Sequence, residues 1–166
     1  GPVISVAQIN NNPARIFAVQ FLYQLFLKEN SSLKDSFENK TLNQSDFTDL
    51  ISDFLTTYLE PDQEHPDSTI HPSQLNYGKK ILDYLLENYE GLSSTLDKNI
   101  ESSLDSLTPF DRSALLIGIA EINSELAPFQ VVTNEMVNIC KTYGSESSPR
   151  FINGVLDGIA KSSASS

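Results

Sequence analysis

The chain has 166 residues, with 22 acids against 11 lysines and arginines and a formal net charge of -11. That balance argues against a stand-alone nucleic-acid binder, because phosphate affinity comes from clustered cations, and it points to a basic partner or to a small, local basic surface. Hydrophobic residues make up 39% and charged residues 20%, enough apolar mass for a core, so wholesale disorder is excluded and the length suits one domain or two small helical halves.

The sequence reads as helix throughout, with no run of clean period-two alternation. Residues 1–2, Gly-Pro, resemble the scar of a cleaved tag and are set aside. A first helix is expected from Asn12-Pro13, where a capping side chain precedes proline at the first helical position, to about Glu29. It is apolar on nearly every side except the stripe Gln20, Gln24, Lys28, so it should be buried between other helices. Residues 30–44 read as a polar connector. A second helix follows Ser45, with Phe47, Leu50, Ile51, Phe54, Leu55 and Tyr58 at helical spacing.

Residues 61–72 hold three prolines and no periodicity, which predicts a loop or linker. From Ser73 a third helix aligns Leu75, Leu82, Leu85, Leu86 and Tyr89 and stops at Gly91, and a short fourth covers residues 92–104. Thr108-Pro109-Phe110-Asp111 opens a fifth helix with a cap acceptor, a proline and an acid in order. The sixth starts at Ala127-Pro128 and is expected to bury Phe129, Val132, Met136, Ile139, Cys140 and Tyr143, ending at Gly144 as a left-handed cap. Ser148-Pro149 opens the last helix, with Ile152, Val155, Leu156 and Ile159 on one side. The serine-rich residues 162–166 should be a frayed, disordered tail.

Charge is unevenly spread along these elements. Residues 46–67 hold seven acids and no lysine or arginine, and residues 83–125 hold nine acids against Lys98 and Arg112. From residue 126 to 161 three acids meet Lys141, Arg150 and Lys161. The last two helices are therefore the one sizeable region that does not repel an anion.

No constellation for catalysis emerges. His65 and His71 each precede proline in an acidic loop, where extended His-Pro steps hinder convergence on a metal, so solvated loop histidines are the simpler reading. Cys140, the single cysteine, sits on the apolar side of the sixth helix and reads as a buried structural thiol. Glu121 and Glu135 read as helix-surface or buried hydrogen-bonding groups rather than catalytic acids. Phosphate-cradling, nucleophile-elbow and HExxH zinc motifs do not occur, and neither metal nor organic cofactor is expected; the chain reads as a non-enzyme. No secretory leader opens the sequence, and the longest apolar stretch, residues 16–27, is too short for a bilayer, so a cytoplasmic location with no membrane contact is expected. The sequons beginning at Asn30, Asn39 and Asn43 then mean only polar loop.

The last third carries a more specific signal. Pro128-Phe129, Val131, Asn134-Glu135, Lys141-Thr142-Tyr143-Gly144 and the string Arg150-Phe151-Ile152-Asn153-Gly154-Val155-Leu156-Asp157 occur in this order and spacing. The set resembles the C-terminal part of the NusB family of bacterial transcription antitermination factors. Residues 111–122 resemble that family's fifth helix, and Ala14-Arg15 with residues 18–23 its first, so the resemblance covers about half the chain. It implies an all-α fold of about seven helices in two packed helical subdomains, here expected as residues 3–60 and 73–161 about the 61–72 linker, with the first helix in the seam.

The resemblance also implies a function: an adaptor that pairs with NusE, a basic small-subunit ribosomal protein, holds boxA-type single-stranded RNA, and serves the RNA polymerase antitermination complex on ribosomal-RNA operons. By position in the motifs, Arg15, Gln20, Tyr23, Arg150 and Phe151 are the candidate RNA contacts, supplying cations for phosphates and an amide and aromatics for bases. Each has a plain alternative: Tyr23 and Phe151 as core aromatics, Gln20 as a solvated stripe residue, Arg15 and Arg150 as surface charges. Asn153 and Gly154 read as helix-packing residues. The chain departs from the family where several arginines usually precede the first helix (here Ile9-Asn10-Asn11-Asn12-Pro13), at Ser147 in place of an acid, at Leu116 in place of an arginine and at Ala120 in place of a tyrosine. Fewer cations weaken RNA binding by the isolated protein, which leaves a NusB-fold protein-interaction module as the alternative reading. A domain detached from an RNA methyltransferase could only be an RNA-positioning accessory, since the chain holds no methyl-donor site, and the expected loose serine tail after Lys161 disfavours that reading.

Overall fold

A computed structural model describes residues 10–58 and 70–164, and among these there are seven α-helices: α1 (Asn12–Leu25), α2 (Ser31–Glu38), α3 (Gln44–Tyr58), α4 (Pro72–Lys98), α5 (Pro109–Asn123), α6 (Phe129–Tyr143) and α7 (Ser148–Ala164). The expected linker lies mostly in residues 59–69, outside the described residues, as do His65 and residues 1–2. Because α1 is apolar on most sides, it is buried on most sides. Ala14, Phe17, Ala18 and Leu22 have no exposed surface, and the helix packs on α4 and α5 with further contacts to α2 and α6. On α3, Phe47, Phe54 and Tyr58 recur at helical spacing and meet Phe17 and Phe21 of α1 ring to ring at 5.3–5.7 Å. One continuous apolar cluster runs from this aromatic group into α5, α6 and α7.

α5 lies deepest. Every residue from Asp111 to Glu121 is buried, because Ala114-Leu115-Leu116-Ile117-Gly118-Ile119-Ala120 offers apolar surface in all directions to α1, α4, α6 and α7. Its start forms as the sequence predicts: the Thr108 hydroxyl accepts from the Asp111 amide at 3.1 Å, and Pro109 occupies the first turn.

Elsewhere the structure differs from the sequence reading. α1 stops at Leu25, and residues 30–44 are not a plain connector but contain α2, whose Leu33 and Phe37 point inward one turn apart. The third and fourth predicted helices are one element, α4, interrupted at Asn88 (φ -118°, ψ 19°) rather than at Gly91. The Asn88 side-chain amide donates to the Tyr84 carbonyl at 2.9 Å, a local bond that competes with the helical ladder. α4 ends at Lys98, and one 3-10 turn, Leu104–Ser106, leads to α5. Gly144 is not left-handed (φ -89°, ψ -176°). It is needed for space instead: a Cβ there would lie 2.7 Å from the Ser148 Cβ and 2.8 Å from the Cys140 carbonyl oxygen. Tyr143 is half exposed rather than buried. The last helix continues to Ala164, through most of the stretch read as a frayed tail.

Candidate nucleic-acid interface

The candidate residues are held by two polar anchors on opposite ends of α5. At its C-terminal end the Glu121 carboxylate, fully buried, accepts from Arg15 Nε at 2.7 Å and Nη2 at 2.6 Å and from the Tyr77 hydroxyl. Asn12 accepts a further Arg15 bond at 2.9 Å, and its own amide donates to Glu135 of α6. Burial opposes the Arg15 charge, but the hydrogen bonds and field of Glu121 outweigh it, and the guanidinium is held above its ordinary pKa. Burial and the same carboxylate push the Tyr77 hydroxyl well up, so it stays a donor.

Arg15 was expected to face phosphate. It is 4% exposed, its fork is spent on an internal carboxylate, and it braces α1 against α5. An arginine three residues into an apolar helix can be solvated only at the rim, and here Glu121 draws it inward.

At the N-terminal end of α5 two consecutive residues reach opposite ways. Arg112 lies over the Phe26 ring at 4.6 Å and donates to Glu38 at 2.8 Å and to the Tyr89 hydroxyl at 3.0 Å, fixing the end of α1 against α2 and α4. Asp111 accepts from the Ser148 hydroxyl at 2.6 Å, and that oxygen accepts from the Ser145 amide at 3.0 Å, fixing the first turn of α7. Tyr23 precedes Phe26 by three residues, and Arg150 follows Ser148 by two. The first turn of α5 therefore brings the end of α1 and the start of α7 to the same end of the molecule.

There Tyr23 is 37% exposed and Gln20 half-buried on the outer side of α1. Arg150 is exposed, while Phe151 is half-buried and packed against the core. Sequence reasoning missed their neighbours. Asn153 and Gly154 were expected to pack helices together, yet both are exposed and a Cβ on Gly154 would meet nothing within 4 Å. On α6, Gln130, Val131, Asn134, Asn138, Lys141, Thr142 and Tyr143 are exposed without an acid among them. Their spacing of three and four residues was the available signal, overshadowed by the apolar stripe on the other side. Cys140, in contrast, is buried as expected, and burial, with the Asp111 charge behind it, pushes its thiol up to about 12. Among the described residues no group of His, Cys, Asp and Glu is placed to hold a metal ion, and no helix is long and apolar enough to cross a membrane.

A family model described as the NusB family matches residues 12–161, nearly the whole described chain. The chain belongs to the NusB family. NusB-family proteins are transcription antitermination factors, adaptors rather than enzymes. The transcription antitermination protein NusB of Mannheimia succiniciproducens is 34% identical over 95 residues, covering 57% of this chain and 66% of that protein. That of Campylobacter hominis is 31% identical over 112 residues, covering 67% and 81%. The chain thus spans about two thirds of the first of these NusB proteins and four fifths of the second. T. maritima NusB has the same fold, with a TM-score of 0.67 at 22% identity over 92% of each chain. A chain in the crystal structure of antitermination factors NusB and NusE in complex with dsRNA aligns with a TM-score of 0.66 at 23% identity, covering 91% of this chain and 96% of that one.

Proposed function

We propose that this NusB-family protein pairs with a NusE-like basic ribosomal protein and that the pair holds boxA-type RNA for the RNA polymerase antitermination complex on ribosomal-RNA operons. The observation that carries this reading is that the first turn of α5 ties down both the end of α1, through Arg112 over Phe26, and the start of α7, through Asp111 and Ser148, the two segments that expose Tyr23 and Arg150. Tyr23 offers a ring for base stacking, Gln20 an amide for base edges and Arg150 a cation for phosphate. Phe151 contributes by its exposed edge. Arg15 drops out of the contact set and acts from inside. Asn153, Gly154 and the exposed side of α6 with Lys141 extend the surface, bordered by half-buried Glu135 and by exposed Glu146 between α6 and α7. The crystallised NusB–NusE–dsRNA assembly, which contains a chain of this fold, supports the class of partners.

Arg150 and Lys141 neutralise few phosphates between them, so affinity without the partner should be low and only shallowly salt-dependent. The test is fluorescence anisotropy with boxA-type RNA, with and without the NusE-like protein. The expected result is a partner-dependent gain at moderate salt, reduced by Tyr23→Ala by about 1–3 kcal/mol if one base stacks there. No gain, together with intact protein–protein binding, would select the second reading: a NusB-fold interaction module without RNA contact. The burial of Arg15 and the net charge of -11 are what favour that alternative.

A further inference from the structure

A groove of about 290 Å³ opens between α1, α2 and α3, away from the polar anchors of α5. Its floor is Phe21, Leu25, Leu33, Leu50 and Phe54. The Phe21 ring meets Phe54 edge-on at 5.7 Å and Phe47 at 5.6 Å, so the floor is pinned from beneath. Asp53 lines the wall, and Asp49, one turn earlier on α3, is exposed beside it. Among the described residues neither acid has a cation within ion-pair distance. Lys34 of α2, the nearest base in sequence to Leu33, is turned to Glu38 and Asp105 instead. Like charges at this spacing destabilise a helix slightly, so α3 carries an unneutralised cost beside an apolar trough.

We propose that this groove docks a basic amphipathic helical segment of a protein partner, its apolar stripe on the Phe21–Phe54 floor and its cations against Asp49 and Asp53. A polyanion is excluded by the same two carboxylates, and an uncharged peptide would leave them unpaired. Gln24 stands between this groove and the Gln20–Tyr23 side of α1. A segment seated here would bring positive charge next to the side of α1 that has no exposed arginine. The docking itself does not depend on RNA being bound there.

The experiment uses the full chain without RNA and a labelled synthetic peptide of about 15 residues, long enough to form a helix, with Leu at i, i+3, i+4 and i+7 and Lys elsewhere. Binding is expected, with amide-exchange protection confined to residues 21–33 and 50–57. The pair Asp49→Asn/Asp53→Asn should weaken it about tenfold. The pair Asp97→Asn/Glu101→Gln removes the same charge from exposed positions elsewhere and should change it less than about twofold. Equal losses from the two pairs would reduce the effect to net charge and overturn the proposal, as would protection on α6 and α7 or no binding. A concentration-dependent dimer abolished by Leu50→Lys would give the groove to a second copy of the chain and also overturn it.

Discussion

Arg15 and Glu121 are 106 residues apart in sequence and face each other in two parallel hydrogen bonds of 2.7 and 2.6 Å, both side chains buried. The pair fixes α1 against α5 at one end, as Arg112 over Phe26 does at the other. A helix held at both ends cannot slide or rotate, and the orientation of Tyr23 follows from groups that never reach the surface.

Removing one member of that pair leaves a buried charge without its counter-charge. Glu121→Gln should cost about 3–5 kcal/mol in urea unfolding, whereas the double change Arg15→Met/Glu121→Leu should recover most of it, because an apolar pair incurs no desolvation penalty. Additive losses in the double variant would contradict the pairing.

Two glycines of α4 should respond in opposite directions to alanine. At Gly78 a Cβ would sit 3.1 Å from the Ala14 carbonyl oxygen and 3.3 Å from the Phe17 ring, where α4 packs on α1. Gly78→Ala should cost about 1–3 kcal/mol as the helices are pushed apart. Gly91 is helical and has open space around its Cβ position, so Gly91→Ala should gain about 0.5–1 kcal/mol. Thermal unfolding of the two variants compares them directly.

The Cys140 thiol gives the fold a specific alkaline weakness. Its pKa is raised by burial to about 12, against about 8.5 in the unfolded chain. The folded state therefore retains a proton that the unfolded state loses. The contribution is complete below about 8.5 and disappears as pH rises towards about 12. Urea midpoints should fall between pH 8 and pH 11, and Cys140→Val should flatten the fall. It will not abolish it, since Tyr58, Tyr77 and Tyr89 are raised too and act in the same direction. Rapid labelling of the native thiol by a disulfide reagent at pH 8 would contradict this account.

Ser148→Ala removes the hydroxyl that donates to Asp111 and caps the Ser145 amide. Loss of both bonds at a buried carboxylate should cost about 1–3 kcal/mol. RNA affinity should fall together with stability if the first turn of α7 displays Arg150, and Ser148→Thr, which keeps the hydroxyl, should restore part of both.

Helices with long apolar periods and proline starts were legible in the sequence: α1, α3, α5, α6 and α7 begin within two residues of expectation, and at four of them Pro13, Pro109, Pro128 and Pro149 leave little choice. α2 was not legible, since eight polar-rich residues make a helix only once Phe37 finds its place against Phe47 and Tyr89. The break at Asn88 is a side-chain bond to a backbone carbonyl, which no periodicity records. For the candidate site, it was the family resemblance that put forward Gln20, Tyr23 and Arg150 as potential contacts. It could not reveal that Arg15 turns inward, because the partner that captures it lies on another helix. The same limit applied to Gly154: whether a glycine admits a neighbouring helix or lies bare depends on what stands opposite.

The contact at Gly144 reaches further than its size suggests. With a hydrogen in place of a side chain, the Ser148 β-carbon can approach until it nearly fills the gap against the Cys140 carbonyl. That closeness sets the angle at which the final helix departs from its predecessor. A methyl group inserted at this corner would splay the hairpin like a wedge in a hinge, swinging the arginine two residues beyond the serine out of its place.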